Sequence, residues 1–209
     1  VVGEFVRRRP DDRIGLVVFA GRSLTKSPPT TDAGVLLRQL DDVHLSMLPD
    51  GTAIGSGLAT ALTRLRRSQA RSKVIVLVTD GANNAGEIDP ATATDLARAM
   101  EVRTYTIAVG RGGEVPMPLN FEDPVTGRTI RRTVMTEVPI DEGLLKTIAE
   151  RTGGEFFRAT DSASLRTIFD RIDRLEKSEI HHASFRRYRE LYHPVLLGGA
   201  TLLALAGLV

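Results

Sequence analysis

Unbroken apolar runs and apolar stripes at helical spacing alternate along this chain, separated by short polar loops. The clearest run is Val74-Ile75-Val76-Leu77-Val78, which stops abruptly at Thr79-Asp80-Gly81. A β-branched run of this length reads as a buried parallel strand. It delivers Asp80 to its carboxyl end, the edge at which open α/β sheets bind ligands. Arg13 to Ala20 forms a second apolar strand, and Ser23 to Ser27 a short polar partner after the turn at Gly21-Arg22. A hairpin at the sheet edge is predicted there, ended by Pro28-Pro29. Tyr105 to Val109 and Glu155 to Ala159 make two further strands.

Helical stripes lie between the strands. Val35, Leu36, Leu37 and Leu40 recur at helical spacing behind Thr31 and Asp32, either of which suits a cap. Leu58, Ala61, Leu62 and Leu65 share one face of a helix from Ile54 to Arg67. Pro90 to Met100 with Asp89 as cap, Asp141 to Thr152, and Asp161 to about Lys177 with Asp161 or Ser162 as cap follow the same rule. Strand, helix, strand across residues 74–109 is a βαβ unit, so the sheet is at least partly parallel. From Arg111 to Val138 the rhythm is lost, and the turn signal Asp123-Pro124-Val125-Thr126-Gly127-Arg128 predicts an excursion containing a β-hairpin. The expected class is α/β, Rossmann-like, with a mostly parallel central sheet, an antiparallel edge strand and flanking helices.

The two ends change this picture. Val1 to Pro10 reads as the last turns of an amphipathic helix stopped by proline. Val195 to Val209 carries no charge over fifteen residues. A spanning helix needs about 17 to 25 such residues, so this stretch reads as a transmembrane helix cut before its end, with a buried terminal helix as the alternative. The expected organisation is an α/β domain over 1–180, a juxtamembrane segment over 181–193 and a truncated membrane helix over 194–209. A length of 209 residues suits one such domain plus a tail.

Composition mainly removes possibilities. The chain has no cysteine, which excludes disulfides, thiol nucleophiles and thiolate zinc sites. A net charge of +2 with both signs interspersed is no nucleic-acid signature. Arg64, Arg66, Arg67, Arg71 and Lys73 cluster at the end of the second helix, where cations complement the helix dipole. That cluster reads as a solvated helix terminus, with a phosphate-binding patch as the alternative. Gly55-Ser56-Gly57 lacks the spacing of a nucleophile elbow, and no Gly-rich phosphate loop ending in Lys-Ser or Lys-Thr occurs. Gly110-Arg111-Gly112-Gly113 lacks the dinucleotide fingerprint and reads as an exit loop. His44 stands alone, and His181, His182 and His193 lie in a polar segment where adjacent histidines cannot turn to one helix face.

A hard-oxygen site survives this screening. Mg²⁺ takes six oxygens and usually keeps several waters, so a few hydroxyl and carboxylate ligands on rigid strand ends suffice. Thr52, in the loop Asp50-Gly51-Thr52-Ala53-Ile54-Gly55, and Asp80 are of the right type, and Gly51 and Gly81 allow the loops to approach closely. A turn or helix cap is the other reading of Asp80.

These two loops, the strand Asp12 to Ala20 and Thr152-Gly153-Gly154-Glu155-Phe156-Phe157-Arg158-Ala159 resemble a von Willebrand factor type A domain. More narrowly they resemble the membrane-anchored bacterial Bat (aerotolerance) proteins. The resemblance covers residues 1 to about 180, and the apolar end matches that family's C-terminal membrane helix. It implies a metal-ion-dependent adhesion site drawn from three loops: an Asp-x-Ser-x-Ser motif after the first strand, a threonine that matches Thr52 and an aspartate that matches Asp80. The first motif does not occur in this sequence. The resemblance therefore implies that the complete protein binds Mg²⁺ or Mn²⁺, whereas this stretch alone binds it weakly or not at all.

The implied function is a membrane-tethered binding module and not an enzyme: an acidic side chain of a protein partner completes the metal's coordination. MoxR-type AAA+ ATPases and sibling membrane proteins are the implied partners, with a role in stress tolerance or envelope-complex assembly. A metal-dependent phosphatase or hydrolase and a purely structural anchor are the rival classes. No general base or nucleophile stands near Thr52 or Asp80 in the sequence to favour the enzyme. Arg186, Arg187 and Arg189 before the apolar tail would by themselves place the domain in the cytoplasm. The resemblance, whose members carry two further N-terminal membrane helices, instead implies a periplasmic domain on the bacterial inner membrane.

Overall fold

A computed structural model describes residues 1–110, 113–122, 129–138 and 140–183, with side chains at 1–110, 133–134 and 140–176. The elements in order are α1 (Val2–Arg7), β1 (Ile14–Phe19), β2 (Ser23–Thr30), α2 (Ala33–Asp41), α3 (Ile54–Leu65) and β3 (Val74–Thr79). They continue with α4 (Pro90–Ala99), β4 (Arg103–Val109), β5 (Gly113–Glu122), β6 (Thr129–Val138), α5 (Glu142–Arg151), β7 (Phe156–Ala159) and α6 (Ser162–Ala183). The chain divides into a body over Val1–Asp173 and a C-terminal unit over Arg174–Val209, whose described part is the remainder of α6.

The apolar run of β3 becomes the first strand of a parallel ladder, β3-β4-β7. Val74 pairs with Arg103 and Thr79 with Ala108, and further along Thr106 pairs with Phe156. Ile75, Leu77 and Thr79 are buried on one face of β3, while the alternate valines are half-buried. Against the buried face pack Ile54, Leu58 and Leu62 of α3, Ala93 and Ala97 of α4, and Leu145 and Ile148 of α5. Tertiary burial of these stripes, more than intrinsic propensity, holds helices of 9 to 12 residues in place. Asp32, Asp89, Asp141 and Asp161 each accept backbone N–H bonds from the first turn of the helix that follows.

Two expectations need correction. First, β2 does not end at the prolines: it runs through Pro28 and Pro29 to Thr30. Within the described residues it is an edge strand bonded to β1 alone, so a proline there forfeits no outer ladder bond. Register shifts between Ile14 and Leu16 and between Leu16 and Val17 absorb the rings. Second, the sheet is not one continuous ladder. Among the described residues β1 bonds only to β2 and β3 only to β4, and the antiparallel pair and the parallel ladder are bridged by α3, which packs on β1, β2 and β3. Among the described residues no helix is long and apolar enough to cross a membrane. The expected juxtamembrane and membrane segments lie outside the described residues beyond Ala183. The hairpin expected between Arg111 and Val138 is present as β5 and β6, paired from Gly113↔Val138 to Glu122↔Thr129.

Candidate metal centre

The carboxyl ends of β1 and β3 meet at one segment, residues 51–54. Ala53 N–H donates to the carbonyl of Ala20, just past β1, at 2.7 Å. Past β3, Gly81 lies so close to Thr52 that a Cβ there would stand 3.0 Å from Thr52 Oγ1. Only a glycine lets the Asp80 loop come this near the threonine hydroxyl without displacing it. Gly51 has φ +124°, in the region that disfavours L side chains, and a Cβ there would stand 2.9 Å from Ala85 Cβ. The two glycines singled out in the sequence therefore do what close loop approach requires.

The two loops are also tied by side-chain hydrogen bonds that sequence reasoning missed. Asn84 holds Thr52 twice: its Oδ1 accepts from Thr52 N–H at 2.8 Å and its own N–H donates to Thr52 O at 3.1 Å. Asn83 Oδ1 accepts from Ile54 N–H at 2.9 Å, supplying the first turn of α3 with the acceptor that its N-cap, Ala53, has no side chain to provide. Ser56 Oγ accepts from Ile88 N–H at 3.4 Å. Paired carboxamides between a strand and a helix were the available signal, but in a polar loop asparagine also reads as an ordinary turn residue.

Thr52 and Asp80 are thus brought to neighbouring positions. The Asp80 carboxylate is exposed, and neither it nor the Thr52 hydroxyl is hydrogen-bonded to another described residue. The two loops are acidic: Asp50, Asp80, Glu87 and Asp89 are exposed, and residues 42–52 and 80–89 contain no Lys or Arg, while the exposed Arg22 stands in the adjoining turn between β1 and β2. Asp42, at the start of this stretch, is held below its usual range by a hydrogen bond and charge contact with Lys26. The donor set is all oxygen, which suits a hard divalent cation. Two protein ligands are too few to hold one firmly. Among the described residues no group of three or more His, Cys, Asp and Glu is placed to do so.

An α/β body that presents a free hydroxyl and a free carboxylate at the carboxyl edge of its strands belongs to the ligand-binding class of open-sheet domains. The model of the von Willebrand factor type A domain matches residues 1–171, and the chain belongs to that family. It is 31% identical over 175 residues to an uncharacterized protein of Borreliella burgdorferi, covering 84% of this chain and 50% of that one. It is 30% identical over 213 residues to a UPF0353 protein of Mycolicibacterium paratuberculosis, covering 94% and 58%. The chain thus spans about half the length of the curated relatives it matches.

Among solved structures it is similar to BatB of Bacteroides thetaiotaomicron, with a TM-score of 0.64 at 23% identity over 84% of this chain and 85% of that one. An aerotolerance-related membrane protein of Bacteroides fragilis gives a TM-score of 0.62 at 24% identity, covering 81% and 83%. Mussel byssus proximal thread matrix protein 1, in a form described as having a zinc-occupied MIDAS motif, gives 0.55 at 21% identity over 85% of this chain and 37% of that one. At these identities the likeness is one of fold.

Proposed function

We propose that this chain is the interaction domain of a membrane-tethered protein that binds an acidic side chain of a protein partner through a divalent cation, Mg²⁺ or Mn²⁺. One observation carries the reading: the Asn84 clamp and Gly81 hold the hydroxyl of Thr52 beside the Asp80 loop, between two loops, residues 42–52 and 80–89, that carry acids and no Lys or Arg. Thr52 and Asp80 would be two of the metal's protein ligands. When bound, the cation supplies an open coordination position and the positive charge that lets a carboxylate approach this acidic edge. No bond is made or broken. The unpaired edges of β1 and β3, with α3 spanning both strands, favour a further strand between them as the carrier of the remaining ligands, the Asp-x-Ser-x-Ser motif.

The tether is the apolar stretch Val195 to Val209. A bacterial inner membrane with the domain in the periplasm, a MoxR-type AAA+ ATPase and sibling membrane proteins as partners, and a role in stress tolerance or envelope-complex assembly complete the reading. Phosphatase or hydrolase chemistry is disfavoured because no base or nucleophile is hydrogen-bonded to Thr52 or Asp80 among the described residues.

Calorimetric titration of Mg²⁺ and Mn²⁺ into this chain and into a version extended before Val1 by a strand bearing Asp-x-Ser-x-Ser tests the site. Weak or no binding by the first and tight binding by the second is expected; equal tight binding by both would sink the idea. Thr52→Ala and Asp80→Ala should each abolish metal-dependent partner pull-down. An unchanged pull-down would favour the purely structural anchor.

A further inference from the structure

The opposite edge of the body has the reverse charge. From Gly51 to Thr79 there is no Asp or Glu, and residues 64–73 hold Arg64, Arg66, Arg67, Arg71 and Lys73. Arg66, Arg67 and Arg71 are exposed, and no side chain of these three or of Lys73 forms an ion pair or hydrogen bond with another described residue. The dipole of α3 accounts for cations in its last turn, at Arg64 and Arg66. Arg71 and Lys73 lie well beyond Leu65, where α3 ends, so helix capping does not explain them. Acids on this edge are mostly engaged: Asp12 with Arg9 at 2.5 Å, Glu155 with Arg171 at 2.8 Å, and Asp32 as the cap of α2. Asp11, Glu101 and Glu150 remain, against the cations Arg66, Arg67, Arg71 and Lys73.

This is also the edge towards which residues 162–173, the part of α6 inside the body, run. Glu4 meets Arg166, Phe5 meets Phe169 and Arg9 meets Asp173, so this part of α6 descends alongside α1 towards the amino end of β1. Beyond Asp173 the chain continues to the uncharged stretch 195–209. We propose that the loop carrying Arg66, Arg67, Arg71 and Lys73 rests on the anionic headgroups of the bilayer that holds the apolar stretch. The inference rests on the membrane tether of the proposed function, not on its metal site. A lipid surface fits better than nucleic acid, because residues 51–104 contain no aromatic side chain on which a base could stack. It also fits better than a protein interface, because residues 66–73 hold no large apolar side chain to form the desolvated centre such an interface needs.

The chain has no cysteine, so Gln69→Cys, at an exposed position in the same loop, gives a single labelling site. The labelled full chain is reconstituted into vesicles of phosphatidylcholine alone or of phosphatidylethanolamine with about 30% phosphatidylglycerol. Flotation reports the tether, and quenching of the label by headgroup spin-labelled lipid reports the loop. Flotation with both vesicles, with quenching only where phosphatidylglycerol is present, is expected.

Each cation near an anionic surface is worth roughly fivefold in partition, about 1 kcal/mol. Arg66→Gln, Arg67→Gln and Arg71→Gln together should therefore lower the lipid-contacting to free ratio on the order of 100-fold, with the circular dichroism spectrum unchanged. Salt at about 1 M, where the Debye length falls to about 3 Å, should act in the same direction. Flotation with equal quenching in both vesicles, or with none in either, overturns the loop contact and leaves the tether standing. Flotation only with phosphatidylglycerol overturns the tether and leaves the contact standing, and no flotation with either overturns both.

Discussion

Asn83 and Asn84 are adjacent, each accepts one backbone hydrogen bond from the segment opposite, and the two bonds are nearly equal in length, 2.9 and 2.8 Å. Replacing each by alanine should nevertheless rank the two variants in opposite order for stability and for metal binding. Asn83 serves Ile54 N–H at the start of α3, where Ile54 and Ala53 are 0% exposed. Water cannot easily take its place, so Asn83→Ala leaves a buried donor unsatisfied, at a cost of about 1 to 3 kcal/mol. For a chain of this size that lowers Tm by roughly 2 to 4 °C per kcal/mol.

Asn84 serves the half-buried Thr52, whose N–H water can reach. Asn84→Ala should cost about 0.5 to 1.5 kcal/mol, the ordinary value of a replaceable hydrogen bond. But Thr52 is then held only by the backbone bond from residue 84, and its hydroxyl loses its fixed position against Gly81. Groups that orient a metal ligand typically contribute 10- to 100-fold in affinity. Urea unfolding gives the first quantity, and Mn²⁺ titration of the strand-extended protein gives the second. Asn83→Ala should be the less stable and the better metal binder. The reverse order, or equal losses of affinity, would refute the assignment of Asn84 as the residue that positions Thr52.

Three other expectations concern the body. Thr104 Oγ1 is buried without a hydrogen-bond partner, so Thr104→Val should leave stability unchanged or raise it by about 1 kcal/mol in urea unfolding; a loss of more than that would mean the hydroxyl is satisfied. Leu62→Ala, at a position 0% exposed between α3 and the parallel ladder, should cost about 2 to 5 kcal/mol and leave no folded population if the body is marginal. Asp161 caps α6, and its carboxyl is held below its usual value near 3.8 by the Ser164 backbone N–H, and then by the Ser164 hydroxyl. A depressed carboxyl stabilises the fold above its unfolded value and loses that effect as pH falls through its folded value. The stability advantage of the wild type over Asp161→Asn should shrink on acidification below about pH 4, and a pH-independent difference would contradict the cap.

Much of the fold was legible because local rules and burial agree in it. Val74 to Val78 is apolar at every position because helices cover one face and the other is half-covered, and the aspartates before the helices are caps because each has a first-turn N–H within reach. Pro28 and Pro29 misled for a physical reason: proline breaks a central strand, but the outer side of an edge strand makes no demand on the missing N–H. The discontinuity between β1 and β3 was not legible as such, since strand pairing is a long-range property that neither strand's own pattern records. At the candidate site, oxygen-bearing residues at strand ends could be read from type and position. The carboxamides that fix them could not, because their partners are backbone groups some thirty residues away.

The helix α3 begins beside Thr52 and ends at the basic loop, and its 12 residues make a rigid rod about 18 Å long. With the basic loop seated on headgroups and α3 standing along the bilayer normal, that rod acts as a ruler. It sets the acidic edge at a fixed height, roughly 20 Å above the bilayer surface, and a partner would have to present its carboxylate at that height. Selection by elevation would then favour proteins standing in the same membrane over those arriving from solution, with no contact at the site itself telling the two apart.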